Sequence, residues 1–126
     1  MAVYVNDRLD WVQQAVNSIL SQTYQQYGLV IVIDGQIGVN ISNFLNHIAT
    51  TNAHVALIEG EENRGLSVCM NYIIEWSTSL KPKYFFRMDA DDISEPERLA
   101  TQVAYLEKYP QVDVLGSALV EVDENG

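Results

Sequence analysis

Residues 29–33, Leu-Val-Ile-Val-Ile, restrict the possible folds more than any other stretch of this sequence. The run shows no alternation of apolar and polar residues, which is typical of a strand covered on both faces, as in a parallel sheet. Consecutive parallel strands need a long crossover between them, and that crossover is usually a helix. Segments with helical spacing of apolar residues lie on both sides of the run. We therefore expect it to be a central strand of a parallel sheet.

The rest of the chain alternates between strand-like and helix-like periodicity. Four further strands are predicted, the last of them a strand or a strand pair: residues 1–4, 54–59, 83–88 and 112–122. Four helices are predicted between the strands: residues 6–22, 40–51, 66–77 and 95–108. This order predicts an α/β fold, a mostly parallel sheet with helices on both faces, which binds ligands at the carboxyl ends of its strands.

Two details of the later helices are also predicted. The third helix is expected to start just behind Gly65 and to bury an apolar stripe of five residues: Leu66, Met70, Ile73, Ile74 and Trp76. The fourth helix is expected to start at Glu95, with Ser94 as the N-cap of a capping box.

Length and composition limit the size and the partners of the protein. The chain has 126 residues, 48% of them hydrophobic, which predicts one domain over residues 1–126 with a single core. A formal net charge of -10 argues against nucleic acid and anionic lipid as partners. The one cysteine, Cys69, excludes an internal disulfide and favours an intracellular setting. The sequence has no run of about 18 apolar residues, so we expect a cytoplasmic chain without direct membrane insertion.

Three carboxylates follow the predicted strand 83–88: Asp89, Asp91 and Asp92. Side chains alternate along an extended segment, so Asp89 and Asp91 are expected to face one site while Ala90 points away. Hard cations such as Mg²⁺ take oxygen ligands and often keep only one or two protein carboxylates. The spacing therefore indicates a site for a divalent metal. The alternative interpretation is an acidic loop that only stabilises the N-terminus of the next helix.

The stretch RMDADDISEPERLATQVAYLEKYPQVDVLGS, residues 87–117, resembles the nucleotide-binding half of the family 2 glycosyltransferases. That family has the GT-A fold, which is Rossmann-like, and transfers a sugar from a nucleotide donor. Four further stretches resemble the family in the same order: MAVYVND, SILSQTY, LVIVIDG and ENRGLSVCMN. The resemblance covers nearly the whole chain and implies that residues 89–91 are the family's DXD motif.

The resemblance implies a role for each residue of the acidic stretch. Asp91 would bind the divalent metal, Mn²⁺ or Mg²⁺, that bridges the diphosphate of the donor. Asp89 would contact the ribose or share the metal, and Asp92 would lie beside them. An arginine near these carboxylates, Arg64, would offset their mutual repulsion and offer hydrogen-bond donors to the base or the phosphates.

The resemblance also implies that residues from the earlier strands bind the nucleotide. Tyr4 would lie against the nucleobase, and Asn6 would help to shape that loop. The family commonly has an acidic pair at the end of the second strand, whereas here Ile33 replaces the first acid and Asp34 alone remains. Ala2 replaces a common proline, a change that removes no contact group. The base and the sugar are therefore left open, with a UDP-sugar as the first expectation.

Catalysis is expected to need more than this chain. The resemblance implies an inverting transfer, in which an Asp or Glu acts as general base on the acceptor hydroxyl. In the family that base comes from a later part of the chain, so no catalytic base is expected within residues 1–126. We expect a donor-binding fragment, truncated at its C-terminal side and inactive alone. The implied acceptor is a saccharide or a lipid-linked saccharide of polysaccharide biosynthesis, and the full-length protein could be membrane-associated.

Two alternative functions stay open. The first is a magnesium-dependent phosphotransfer domain, which needs an aspartate on an early or central strand and a lysine at a later strand end. Lys81 and Lys83 precede their predicted strand, and residues 1–4 contain no aspartate, so the pattern disfavours this class. The second is a non-catalytic nucleotide-binding or assembly module of the same fold, which Ile33 would favour. Metal-dependent nucleotide binding would distinguish a glycosyltransferase from such a module if the module has kept the fold and lost donor binding.

Overall fold

The computed structural model of the protein describes residues 1–122. Its elements follow the alternating order that the sequence predicts: β1 (Ala2–Val3), α1 (Leu9–Leu20), β2 (Leu29–Ile33), α2 (Val39–Thr51), β3 (Val55–Glu59), α3 (Leu66–Ser77), a 3₁₀ turn (Thr78–Leu80) and α4 (Arg98–Lys108). The predicted α/β class, with a parallel sheet flanked by helices, is confirmed. Among the described residues, no helix is long and apolar enough to span a bilayer.

The three strands form one parallel sheet in the order β1-β2-β3. The central position of β2 confirms the prediction for residues 29–33. Its ladder with β3 runs from Leu29 opposite Val55 to Ile33 opposite Glu59. The ladder with β1 is short and starts with Ala2 opposite Val32. Because all three strands run the same way, their carboxyl ends lie along one edge of the sheet.

Helices cover both faces of the sheet. On one face, Ile31 and Ile33 join a buried core with α1 and α2. The core residues of these two helices recur at the predicted helical spacing: Val12, Val16, Ile19, Ile41, Leu45 and Ile48. On the other face, Val32 and Cys69 of α3 border the same hollow, and α3 contacts β1 and β2. Cys69 is buried and therefore belongs to the core.

Two predicted strands, residues 83–88 and 112–122, form no ladder within the described part of the chain. A segment forms a strand only when its backbone pairs with a neighbouring strand. β1, an outer strand of the sheet, offers just 2 residues for such pairing. A cavity of about 540 Å³, bordered by Met1, Val30 and Phe86, separates the first segment from the sheet. The second segment is largely exposed, with Val114 at 89%. Both strand predictions are therefore wrong for this structure.

The predicted start of the fourth helix is also wrong. α4 begins at Arg98, and its N-cap, Glu97, makes no side-chain capping hydrogen bond. Ser94 is buried instead, and its peptide N–H donates to Ser18 Oγ at an N···O distance of 3.0 Å. Because Ser94 is held against α1 in this way, the chain enters the helix only after Pro96.

α3 begins at Leu66, directly behind Gly65, as predicted. Its apolar stripe, however, is not buried: Leu66 and Ile74 are each 45% exposed, and Trp76 is 40% exposed. α3 packs on the short β1 and the adjacent β2, which are too small to cover the stripe. The prediction of a buried stripe is therefore wrong for these three residues.

Candidate functional site

Residues from three loops lie at the carboxyl ends of the three strands, which we call the carboxyl edge of the sheet. Tyr4 follows β1, Asp34 follows β2, and the loop 60–65, which carries Arg64, follows β3. Parallel α/β sheets bind ligands outside the carboxyl ends of their strands. This edge is therefore the candidate site.

Asp34 is the buried polar centre of this edge. It is 5% exposed, and its Oδ1 and Oδ2 accept hydrogen bonds from the peptide N–H groups of Arg64 at 2.7 Å and Gly65 at 2.9 Å. Burial raises the pKa of Asp34, but hydrogen bonds from Arg64, the Cys69 thiol and Gly65 outweigh burial and bring the pKa below its ordinary value. The carboxylate is thus ionised at neutral pH and holds the loop before α3 against the end of β2.

The Cys69 thiol takes part in this arrangement as a donor. Burial, the hydrogen bond to Asp34 and the Asp34 charge raise the pKa of Cys69 to about 11. The thiol is therefore protonated at neutral pH and is a poor nucleophile, since the thiolate is the reactive form. This agrees with its assignment to the core.

Gly35 allows the loop 60–65 to lie directly on the end of β2. It has a φ of +82°, and an added Cβ would lie 2.7 Å from the peptide nitrogen of Asn63. The Gly60 N–H donates to the Ile33 carbonyl at 2.8 Å, which fixes the start of the same loop. The sequence signal for the turn is the Asp34-Gly35 pair, but the backbone contact with Asn63 has no local signal.

The structure brings Arg64 and Asp34 to the border of one hollow. This cavity, of about 230 Å³, lies between the end of β2 and α3, and is also lined by Val68 and Tyr72. The Arg64 side chain is 61% exposed, and its Nε lies 3.3 Å from Oε1 of Glu62. Its guanidinium is thus available at the surface of the site, with a solvated carboxylate as its partner.

In the segment 89–92, one carboxylate is paired with an arginine and the other two are exposed to solvent. Asp89 Oδ1 and Oδ2 accept hydrogen bonds from Arg87 Nε at 3.0 Å and Nη2 at 2.7 Å. Ala90 is 6% exposed and belongs to the core. Asp91 and Asp92 are exposed, and neither side chain makes a hydrogen bond or ion pair with another residue of the range 1–122. The structure places Arg87, and not the arginine before α3, against the acidic stretch.

Asp7 is a further carboxylate at this edge, and the sequence reasoning missed it. Its Oδ2 accepts a hydrogen bond from the Tyr4 peptide N–H at 2.8 Å, which closes the turn after β1. Burial raises the pKa of Asp7, the hydrogen bond from Tyr4 lowers it, and the charge of Asp91 raises it further. Asp7 and Asp91 therefore lie within electrostatic reach of each other. Asp7 does belong to the MAVYVND stretch, which is the signal that could have identified it.

Tyr4 and Asn6 stand on the exposed side of that turn. Tyr4 is 41% exposed, which leaves its ring accessible to a stacking partner. Asn6 is exposed as well. Both residues precede Asp7, so the loop after β1 brings an aromatic ring and an amide to the edge that the acidic segment also approaches.

The carboxylates suit a hard divalent cation in an open site. Within residues 1–122, no group of three His, Cys, Asp or Glu side chains converges to enclose a metal. Mg²⁺ does not require such a group, because it often takes one or two carboxylates and completes its coordination with water and phosphate oxygens. Asp91 offers an unpaired carboxylate, whereas Asp89 would have to share its oxygens with Arg87. The donor set therefore fits a metal that arrives with a phosphate-bearing ligand.

Known proteins resemble this chain over most or all of its length. A family model described as Glycosyl transferase family 2 matches residues 1–126. "Bifunctional glycosyltransferase pgtA" of Dictyostelium discoideum is 32% identical over 88% of this chain and 14% of its own length. "Amylovoran biosynthesis glycosyltransferase AmsE" of Erwinia amylovora is 32% identical over 100% of this chain and 46% of its own length. "O-antigen biosynthesis glycosyltransferase WbnJ" of Escherichia coli is 32% identical over 100% of this chain and 47% of its own length.

A solved structure supports the fold. The crystal structure of S. aureus TarS superimposes with a TM-score of 0.65 and 16% sequence identity, over 85% of this chain and 18% of that one. The likeness supports a GT-A fold for the matched part of this chain. The chain spans less than half the length of each relative named above.

Proposed function

The chain belongs to glycosyl transferase family 2, and from this membership we propose that it binds the nucleotide-sugar donor of a sugar transfer. The proposed acceptor is a saccharide or a lipid-linked saccharide, in keeping with relatives named for amylovoran and O-antigen biosynthesis. One observation carries the donor site: Asp34 accepts the peptide N–H groups of Arg64 and Gly65 and so holds the Arg64 loop at the carboxyl ends of the strands, where parallel α/β sheets bind ligands.

The acidic segment is the proposed diphosphate end of this site. Asp91 is the first candidate to hold Mg²⁺ or Mn²⁺, and Asp89 is the second, with Arg87 fixing the orientation of its carboxylate. A bound metal would supply positive charge that stabilises the departing diphosphate. The need for such charge follows from the protein, because the net charge of -10 repels an anionic ligand.

The loops after β1 and β3 are the proposed nucleoside end. Tyr4 offers an exposed ring for stacking on a base, and Arg64 offers a guanidinium to the base or the phosphates. Asp34 acts first by holding the Arg64 loop. A carboxylate has about four acceptor positions, of which the amides of Arg64 and Gly65 and the Cys69 thiol occupy three. One position is then left for a donor on the nucleotide, and a UDP-sugar is the donor to test first.

The catalytic base is proposed to lie outside residues 1–126. An inverting transfer needs an Asp or Glu within hydrogen-bond reach of the acceptor hydroxyl. We assign no such role to the acidic residues of this edge, whose positions suit metal and nucleotide binding. The chain covers less than half of its relatives, which is compatible with a base supplied by another part of a longer protein. On this account the chain binds the donor but does not transfer the sugar alone.

Paramagnetic Mn²⁺ locates the proposed site directly. ¹⁵N-labelled protein is titrated with Mn²⁺ in the presence of UDP, and the broadening of each amide resonance is recorded. The proposal expects the strongest broadening at the amides of Asp91 and Asp92, followed by the turn of Asp7. Mg²⁺ in place of Mn²⁺ is the diamagnetic control. Broadening centred on the acidic side chains Glu59, Glu61 and Glu62, or spread over the surface, would contradict the proposed site.

A further inference from the structure

Gln22, two residues beyond the end of α1, is a buried polar side chain that contacts the segment behind the acidic residues. It is 1% exposed. Its Nε2 donates to the Glu95 carbonyl at 2.7 Å and to Ser94 Oγ at 3.2 Å, and its Oε1 accepts from the Leu99 N–H at 2.9 Å. A buried amide is unfavourable unless its polar atoms are paired. Gln22 therefore favours the arrangement in which residues 94–99 lie against α1.

Two neighbours of Gln22 bind the same segment. Ser18 Oγ accepts a hydrogen bond from the Ser94 N–H at 3.0 Å, and the Thr23 N–H donates to the Pro96 carbonyl at 2.9 Å. We refer to Ser18, Gln22 and Thr23 together as the α1 clamp. The clamp joins parts of the chain that are far apart, since Gln22 and Ser94 are 72 residues apart in sequence.

The other end of the acidic segment is fixed by the core. Met88 is 5% exposed and Ala90 is 6% exposed, while Arg98 Nη2 donates to the Arg87 carbonyl at 2.8 Å. Within residues 1–122, no strand ladder includes residues 83–97. Asp91 thus lies on a short connection whose two ends, Ala90 and Ser94, are held mainly by side-chain contacts.

We propose that Gln22 is a positioning residue that holds Asp91 at the donor site by fixing the C-terminal end of the acidic segment. This inference rests on the proposed function, because the position of Asp91 matters only if Asp91 binds the donor's metal. The competing explanation is that Gln22 stabilises the start of α4 through Leu99 and has no influence on the site. The two explanations predict different effects of replacing Gln22. The first predicts weaker metal-dependent binding, and the second predicts a loss of stability alone.

The test compares Gln22→Met with a control that removes a different hydrogen bond near the same end of α1. Methionine keeps the length of the side chain and removes every hydrogen bond of the amide. Tyr27→Phe removes the hydrogen bond from Tyr27 Oη to the Ile19 carbonyl at 2.8 Å, near the same end of α1, and leaves every hydrogen bond of the α1 clamp in place. Ser18→Ala is a milder clamp variant in case Gln22→Met does not fold. UDP affinity is measured with and without Mn²⁺, together with amide hydrogen exchange of residues 89–93.

We expect Gln22→Met to weaken Mn²⁺-dependent UDP binding about tenfold, if the acidic segment then occupies its binding arrangement in about a tenth of the molecules. Binding of UDP without metal should not change, and hydrogen exchange of residues 89–93 should become faster. Tyr27→Phe should leave the Mn²⁺-dependent UDP affinity and the hydrogen exchange of residues 89–93 unchanged, whatever its effect on the melting temperature. Ser18→Ala should change both in the same direction by a smaller factor.

Three outcomes separate the hypotheses. Loss of metal-dependent affinity in the clamp variants alone supports the inference. Unchanged metal-dependent affinity in a folded Gln22→Met or Ser18→Ala protein overturns it while the proposed function stands. If the unmodified protein itself binds UDP no better with Mn²⁺ than without, the proposed function fails, and the positioning role of Gln22 falls with it.

Discussion

Replacing Asp34 by asparagine should destabilise the protein, because both oxygens of this buried carboxylate accept hydrogen bonds from peptide N–H groups. Asparagine keeps one acceptor oxygen and turns an N–H₂ group toward the other peptide N–H. A hydrogen bond to a charged group contributes about 1.5–3 kcal/mol, and an unsatisfied buried donor costs about 1–3 kcal/mol. We therefore expect Asp34→Asn to lower the free energy of unfolding by about 3 kcal/mol.

This loss converts into a measurable change in melting temperature. Unfolding entropy near 60 °C is about 2.1 cal/mol/K per residue, and the chain has 126 residues. A loss of about 3 kcal/mol then lowers the melting temperature by about 11 °C. Asp113→Asn is the matched control, because Asp113 is exposed and its replacement should change the stability by less than about 0.5 kcal/mol.

The effect of Asp34→Asn should also depend on pH. The pKa of Asp34 in the folded protein lies below its ordinary value of 3.8. The ionised carboxylate therefore contributes its full stability above that ordinary value, and the contribution is lost as the pH falls through the folded pKa. The unmodified protein and Asp34→Asn should therefore differ less in their free energy of unfolding at acid pH than at pH 7, as measured by urea unfolding monitored by circular dichroism. A difference that is small at pH 7, or that does not narrow in acid, would refute this reasoning.

Three further predictions follow from the same edge of the sheet. Gly35→Ala should lower the free energy of unfolding in urea by about 2 kcal/mol, because the new methyl would lie 2.7 Å from the Asn63 nitrogen at a φ of +82°. Gly116→Ala is the control, because a methyl added at Gly116 would have no atom within 4 Å. An equal loss of stability in the two variants would contradict the close approach at Gly35. Asp91→Asn should lower the pKa of Asp7 toward its ordinary value of 3.8 in an NMR titration of the side-chain carboxyl, whereas Asp113→Asn should not; an unchanged pKa would show that Asp7 and Asp91 are not in reach. Arg87→Gln should cost less than about 1 kcal/mol in thermal unfolding, since the Arg87 and Asp89 side chains are 63% and 33% exposed; a loss of several kcal/mol would make this pair a structural one.

The parts of the fold that depend on local periodicity could be predicted from the sequence. The apolar run of β2 and the helical spacing of Val12, Val16 and Ile19 are confirmed, because each buries one continuous strip of side chains. The segment 83–88 also contains a run of aromatic residues, but it forms no ladder within residues 1–122. Local sequence cannot supply the neighbouring strand that a ladder needs.

The polar contacts of the site were harder to predict. Asp34 was identified, but its partners, the amides of Arg64 and Gly65, lie in a loop 30 and 31 residues away. Ser94 matches a capping box in sequence, yet it is held by α1. Such contacts depend on which distant loops the sheet brings together, and no local spacing encodes that. The metal and nucleotide roles of Tyr4, Asp89 and their neighbours stay predictions.

The proposed donor site requires the acidic segment to bind a metal together with the donor's diphosphate. Calorimetric titration of the protein with UDP, with and without Mn²⁺, tests it most directly when repeated on Asp91→Asn and on the control Asp113→Asn. We expect Mn²⁺ to strengthen UDP binding at least about tenfold, or ~1.4 kcal/mol, and we expect Asp91→Asn, but not Asp113→Asn, to abolish this strengthening. Equal affinity with and without Mn²⁺, or equal loss in both variants, would contradict a metal site at Asp91.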